Sequence, residues 1–280
     1  MAQALGRLLR ERGESIAAVA SRTPERAAAA AAFVGGGAKA VRYAELPRHA
    51  RRILIAVPDE AISEVALLLA GAETHRGAAL HTSGARGPEA LAPLAAAGVS
   101  CGALHPLQTV ANPEEGVRAL PGVAFAIDGE GEAAAWAGQI VSLLGGFPLR
   151  IPAEARPLYH AAAVLASNYV VALMAAAVIL MEEAGVEKSL ALRALAPLAR
   201  TSVGNAAGLG PVAALTGPVA RGDAATVRAH LAALARSPGP VLDMYRAAGL
   251  VTLDLARRRG LPEATARAIE ELLRGGERHA

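Results

Sequence analysis

The sequence is poor in aromatics and has almost no cysteine or lysine. Only 3% of its 280 residues are Phe, Trp or Tyr against 53% hydrophobic overall, so the apolar content is aliphatic, with Ala the commonest residue. Such a chain is neither disordered nor collagenous. The single Cys101 excludes an internal disulfide and a cysteine metal cluster, which fits a reducing cytoplasm, and no metal site is expected. With no basic partner nearby, Cys101 reads as a small buried hydrophobe rather than a nucleophile. Of the 28 basic residues only Lys39 and Lys188 are lysine, and the net charge is +3. No basic run exceeds Arg257-Arg258-Arg259, and no aromatics interleave with it, so a nucleic-acid partner is not expected.

No leader is expected in the opening residues. Met1 to Arg12 is charged and glycine-punctuated, without an apolar stretch. The run from Ala161 to Met181 carries no charge and meets the length rule for a spanning helix. However, Ser167, Asn168 and Tyr169 interrupt it, His160 and Glu182-Glu183 close its ends, and Ala is nearly neutral for insertion. The expectation is a buried helix of a soluble protein, in a core or dimer interface, and no membrane association.

What is present is an alternation of short apolar runs with helical ones. Strands are expected at Ser15–Ala20, Lys39–Tyr43, Arg52–Val57, Ala78–Thr82, Val99–Leu104 and Val123–Ile127. Helices are expected between them, near Glu60–Leu69, Pro88–Ala97 and Glu132–Leu144, and from Thr23-Pro24-Glu25, where Thr caps, Pro takes the first helical position and the acid suits the dipole. Continuous apolar strands alternating with helices predict a mostly parallel sheet covered on both faces, with ligands at the carboxyl ends of its strands. From about Pro152 only helices are expected: Glu154–Ala184, Glu187–Ala207, Asp223–Arg236, Val241–Arg259 and Glu263–Arg274. The layout is an α/β Rossmann-like domain over residues 1–151 and an all-α dimerisation or substrate domain over 152–280.

One absence concerns function. A dinucleotide-binding fold opens with a strand and G-x-G-x-x-G, and the ribose-reading residue follows about 20 residues later. This sequence has no such fingerprint, because it begins inside the first helix. If Ala2 takes the third small position, Arg22 falls at the reader position, and the first strand and two glycines lie upstream of Met1. Arg22 between Ser21 and Thr23 suits a 2′-phosphate, which a carboxylate would repel, so NADP is expected over NAD. The plainer alternative is a polar strand end followed by a helix cap. Val57 and Pro58 would offer backbone to the same cofactor, or Pro58 merely punctuates the strand.

The segments ALGRLLRERG (Ala4–Gly13), ILIAVPD (Ile53–Asp59), LHTSGA (Leu80–Ala85), LHPLQT (Leu104–Thr109), YHAAAVLASNY (Tyr159–Tyr169) and LTGPVARGD (Leu215–Asp223) span nearly the whole chain. Together they resemble the Rossmann-like oxidoreductases whose C-terminal half is domain of unknown function 2520. That resemblance implies a helical domain like that of 6-phosphogluconate dehydrogenase, a homodimer, and no settled activity. The His-Pro step at His105, with Ser83 after the preceding strand, is similar to the arrangement in prephenate dehydrogenase, where His and Ser serve the hydroxyl being oxidised. On that basis His105 is the candidate acid/base, titrating near neutrality, and Ser83 its orienter or a second bond to the substrate. His105 is otherwise a turn residue before Pro.

Gln108 and Thr109 follow the same strand as candidate substrate contacts. His160 and Ser167 are seven apart on one helix face, with Asn168 adjacent. The lysine that β-hydroxyacid dehydrogenases place four residues before such an Asn is Val164 here, so that mechanism does not carry over. Asn168 serves a substrate or a helix–helix bond equally well. Thr216, Arg221 and Asp223 complete the set: Arg221 would bind a substrate anion, or Asp223 caps a helix with Arg221 as its ion pair. Two functions stay open: an NADP-dependent oxidoreductase of a small carbonyl, hydroxy-acid or imine substrate, or a non-catalytic dimeric protein of the same fold that binds a metabolite or protein partner.

Overall fold

In the computed structural model, which describes residues 1–71, 77–237 and 239–275, the alternating runs of the first half form strands with helices between them. The first compact unit, Met1–Ser167, contains α1 (Ala2–Glu11), β1 (Ala18–Ala20), α2 (Pro24–Val34), β2 (Lys39–Val41), β3 (Arg52–Ile55), α3 (Ile62–Ala70) and β4 (Ala78–His81). It continues with α4 (Ala92–Ala96), β5 (Ser100–Pro106), α5 (Pro113–Ala119), β6 (Ala124–Gly129), α6 (Gly131–Leu143), β7 (Phe147–Leu149) and α7 (Arg156–Ala166). Thr23 caps α2 by accepting from the Arg26 N–H, and Pro24 opens it, as the sequence predicts. Helix α5 and strand β7 are additions to the elements expected from the sequence. The unit ends after Ser167, beyond the boundary expected near residue 151.

The strands form two sheets, β1-β2 and β3-β4-β5-β6-β7. All pairs are parallel except β5–β6, which is antiparallel. Period-two alternation divides the core between the faces. Ala78 and Leu80 of β4 join Ala4, Leu5 and Leu8 of α1, and Trp136 and Ile140 of α6, on one face. Ala79 joins Ile62, Val65 and Leu69 of α3 on the other. All four residues of β4 are fully buried, which explains why it reads as an unbroken apolar run ending in a histidine.

The long apolar helix expected over Glu154–Ala184 is interrupted. Ser167 leaves helical geometry (φ −126°, ψ −74°), and its hydroxyl donates to the Ala163 carbonyl at 2.7 Å. Beyond it the second unit, Asn168–Ala280, contains α8 (Asn168–Glu183), α9 (Lys188–Leu209), α10 (Pro211–Ala214), α11 (Pro218–Arg221), α12 (Ala224–Leu234), α13 (Val241–Arg258) and α14 (Glu263–Arg274). Its core is Val219, Val227, Leu253, Ala256, Ala266, Ile269 and Leu273, drawn from α11 to α14. Helix α8 contributes little to it, so of the two settings expected for this helix the chain's own core is not the one. The segment Ala153–Glu183 is long and apolar enough to cross a membrane by length and composition, yet only 6% of its most apolar window is buried.

His81 is a polar group in a fully enclosed position, so its two ring nitrogens must be satisfied locally. Nδ1 accepts the Ser83 N–H at 3.2 Å, which leaves Nε2 to donate to the Gly87 carbonyl at 2.9 Å. Replacing it with leucine leaves both backbone groups unpaired. His81→Leu should cost about 2–4 kcal/mol, read as a lower urea midpoint at unchanged slope. An unchanged midpoint would show that the clamp does not hold the turn.

Candidate active site

The carboxyl ends of β4 and β5, the antiparallel strand β6 beside them and the start of α7 surround the groups on which the chemistry can rest. After β4 the chain makes a tight loop from Ser83 to Gly87, pinned inside by His81. Ser83 fixes the loop from its own side chain: its hydroxyl donates to Asp59 Oδ2 at 2.7 Å and accepts from the Ala85 and Arg86 N–H groups, each at 3.2 Å. Ser83 therefore holds Asp59 and the loop. The pairing of Ser83 with His105 expected from the sequence does not form.

His105, near the end of β5, instead pairs with Tyr159, on the first turns of α7. Nδ1 lies 2.7 Å from the Tyr159 hydroxyl, and the rings meet edge to face at 5.6 Å. Burial, reinforced by nearby His160, pushes the His105 imidazole down to about 4, although Asp59 pulls the other way. Burial likewise pushes Tyr159 up to about 12. The expected titration of His105 near neutrality is corrected by the desolvation of this position: at pH 7 both partners are neutral. The ring sits against Gly84, where an added Cβ would lie 2.8 Å from Cε1 and Nε2, so only glycine leaves room.

Arg156 completes the wall. It is largely buried, pairs closely with Asp128 and lies 3.8 Å from Glu89. A Cβ on Gly87 would fall 2.0 Å from its Nη1, so the loop backbone rests directly on the guanidinium. Between these groups is a recess of about 20 Å³ bordered by Ser83, Gly84, Arg86, His105, Asp128 and Tyr159, room for one water or one substrate oxygen. Arg86 is exposed on its border and makes no ion pair among the described residues. Sequence reasoning missed Tyr159, Arg156, Gly84 and Arg86. The only signal was the Tyr159-His160 pair opening an uncharged run.

Of the cofactor candidates, Ser21, Arg22 and Thr23 follow β1, and Arg22 is exposed with no ion pair among the described residues. Ala2 opens α1, which has no side-chain cap. Val57 and Pro58 follow β3. Gln108 is occupied locally, donating to the Ala119 carbonyl and accepting from the Thr109 N–H. His160 is close enough to His105 to disfavour its protonation. Asn168 belongs to the second unit, with Thr216, Arg221 and Asp223. Asp223 caps α12, accepting from the Thr226 N–H at 3.0 Å and its hydroxyl at 2.6 Å, whereas Arg221 and Thr216 are exposed. Cys101, pushed up to about 11 by burial, is no nucleophile.

Among the described residues no group of three or more His, Cys, Asp and Glu could hold a metal ion. Residues 1–80 match the family described as NADP oxidoreductase, coenzyme F420-dependent, and residues 123–252 match the domain of unknown function DUF2520. The second match begins just before β6, inside the first compact unit. The structure is similar to protein TM1727 of Thermotoga maritima (24% identity, 91% of this chain and 96% of that one, TM-score 0.71). It is also similar to protein BF3122 of Bacteroides fragilis, assigned as an NADP oxidoreductase (24%, 96% and 94%, TM-score 0.68). A reductive aminase from Aspergillus terreus, solved with NADPH and ethyl-5-oxohexanoate, shares 19% identity over 98% of this chain and 89% of that one, with a TM-score of 0.57. At these identities the likeness is one of fold. None of the curated proteins matches the chain. With both family matches in place, the chain belongs to the Rossmann-like oxidoreductases that carry DUF2520 as their C-terminal half.

Proposed function

We propose that the chain is an NADP-dependent oxidoreductase of a small carbonyl, hydroxy-acid or imine substrate, with the His105–Tyr159 pair managing the proton. The observation that carries this reading is the 2.7 Å His–Tyr bond beside an oxygen-sized recess at the strand ends. When bound, the nicotinamide cofactor supplies the hydride. The chain's own part is to hold the cofactor, seat the substrate oxygen or nitrogen, and exchange one proton with it. Neutral His105 is ready to accept a proton from a substrate hydroxyl. In reduction the pair returns a proton to the oxygen or nitrogen. Exposed Arg86 supplies a cation for a carboxylate.

The residues present fit NADP at its adenosine end. Arg22 is exposed and makes no ion pair among the described residues, Ser21 precedes it, and the Thr23 hydroxyl accepts from the Arg26 N–H and bonds the Glu25 carboxylate. The uncapped first turn of α1 presents N–H groups that suit a pyrophosphate. Substitution of Arg22 by alanine removes a charge-assisted contact, so NADPH should bind about 10- to 100-fold more weakly while NADH is unaffected, by fluorescence or calorimetry. Tighter binding of NADH than NADPH by the parent chain would overturn the assignment. The second reading, a non-catalytic metabolite- or partner-binding protein of the same fold, predicts that neither nucleotide binds.

The ionisation of His105 can be tested without a substrate. Its imidazole C–H signals, identified by their loss in His105→Gln, should titrate near pH 4; a midpoint near 6.5 would remove the burial argument. The sign for stability follows. The unfolded chain takes up this proton near 6.5 and the folded chain only near 4, so stability is constant above about 6.5 and falls as pH drops toward 4. His105→Gln should flatten that slope.

The apolar surface of the second unit points to a partner. Tyr169, Val171 and Leu173 on α8, and Leu198, Val203 and Leu209 on α9, are exposed, a patch that a solitary domain rarely leaves open. We assign its occupant as a second copy of this chain. Light scattering should give twice the 28.3 kDa chain mass without detergent, and 28.3 kDa for Val171→Glu, whose parent side chain is 69% exposed and supports no core of its own unit. A monomeric parent, or one that needs detergent to stay dispersed, would count against the dimer.

A further inference from the structure

The second unit has a cavity of its own, of about 350 Å³, bounded by α8, α11, α12 and α13. From α8 it takes Leu173, Ala176, Ala177 and Leu180, at the three- and four-residue steps that keep side chains on one side of a helix. From α13 it takes Ala248 and Gly249. Four of these six positions are Ala or Gly, too short to fill the space they border. Thr216, His230 and Ala248 on the wall are exposed, so the cavity opens to solvent without Leu173, which the face assigned to a second copy also uses.

No charged side chain lines this cavity, and its polar groups are few. His230 Nδ1 lies 2.9 Å from the Tyr245 hydroxyl, and the rings meet edge to face at 5.9 Å. If the tyrosine donates, the imidazole keeps its Nε2 proton. If the imidazole donates from Nδ1, the phenol keeps its own. Whichever way the bond runs, the pair retains at least one donor for a third group. Burial raises the pKa of Tyr245, so its hydroxyl stays protonated. The Thr216 hydroxyl is a further donor, with no hydrogen bond among the described residues. Thr252 has already given its proton to the Ala248 carbonyl of its own helix, at 2.8 Å.

We propose that this cavity binds a small, neutral, largely aliphatic molecule with one carbonyl oxygen, at a site formed by the second unit alone. Its size and its lining, mainly apolar with a few polar groups, are those of a small-molecule pocket between helices. The donors set the chemistry. A carbonyl oxygen has two lone pairs and no proton, which matches the His230–Tyr245 donor and the Thr216 hydroxyl. A carboxylate would lose hydration beside a wall that offers it no cation. A helix of a second copy would bring carbonyls already bonded along its own axis and leave the donors unmet. Of the three candidates in the Leu215–Asp223 segment, Thr216 lines the cavity, whereas Arg221 and Asp223 do not.

The test uses methyl hexyl ketone as probe and octanoate, a chain of equal length that carries a charge, as control. The chain has four methionines, so a methyl-labelled sample reads Met244 on the cavity wall, its signal identified by loss in Met244→Leu. The ketone should shift that signal saturably, and octanoate should need at least ~10-fold more for the same shift. Tyr245→Phe should weaken the ketone about three- to tenfold. Ala177→Leu, which fills the space, should abolish the shift with little change in melting temperature. An equal response to ketone and octanoate, or a shift that does not saturate, would overturn the proposal. So would a Met244 signal that moves with protein concentration and ignores the ketone, since a second copy would then fill the cavity. Neither a nucleotide nor His105 takes part, so failure of the hydride-transfer reading would leave this result intact.

Discussion

Strand β4 carries the site because it has no exposed surface to spare. It is paired on both edges and packed on both faces, so its last residue, His81, must find polar partners within the protein. The two it finds are backbone groups of the loop that follows, and they fold that loop back over the sheet. Through the loop, Ser83 fixes Asp59 at the end of the neighbouring strand, Gly84 lies against His105, and Gly87 rests on Arg156. Each contact depends on the one before it. A histidine locked neutral by burial thus places a second histidine, whose own burial keeps it neutral.

That second burial decides the kind of proton chemistry available. An exposed imidazole would exchange protons freely with water near neutrality. His105 has lost much of its hydration and gained one phenol partner, so in the proposed reaction its proton partner is a group that enters the recess. Tyr159 sets the orientation of the ring, and its raised proton affinity keeps it a phenol throughout the physiological range. The arrangement suits the proposed reaction, in which the pair carries charge only briefly.

Much of the first half was legible because local signals and tertiary demands agree there. Thr23-Pro24 both caps and starts α2, and the runs at Arg52 and Ala78 are apolar at nearly every position because both faces of the sheet are covered. Where signals were missed, the cause is specific. Helix α5 starts at Asn112, which accepts the Glu115 N–H at 2.8 Å, and Pro113, but Gly116 lies inside it against Ala4 and Val110 and dilutes the helical pattern. β7 is three residues with a proline at its centre, unremarkable without the neighbour it pairs with. The break at Ser167 depends on a hydroxyl turning back to Ala163, which serine does in many unbroken helices. The His105–Tyr159 pair spans 54 residues and has no local signature.

The residues proposed for the cofactor and the division of the strands into two sheets belong together. Ser21, Arg22 and Thr23 follow β1, and Val57 and Pro58 follow β3, so the two groups stand at the ends of the two strands whose facing edges are unpaired. A dinucleotide in a parallel sheet lies across strand ends at the crevice where the chain changes direction of winding. Here that crevice falls between β1 and β3. The residues proposed for the adenosine end follow β1, and the N–H groups proposed for the pyrophosphate open α1, so in that reading one ligand spans both elements.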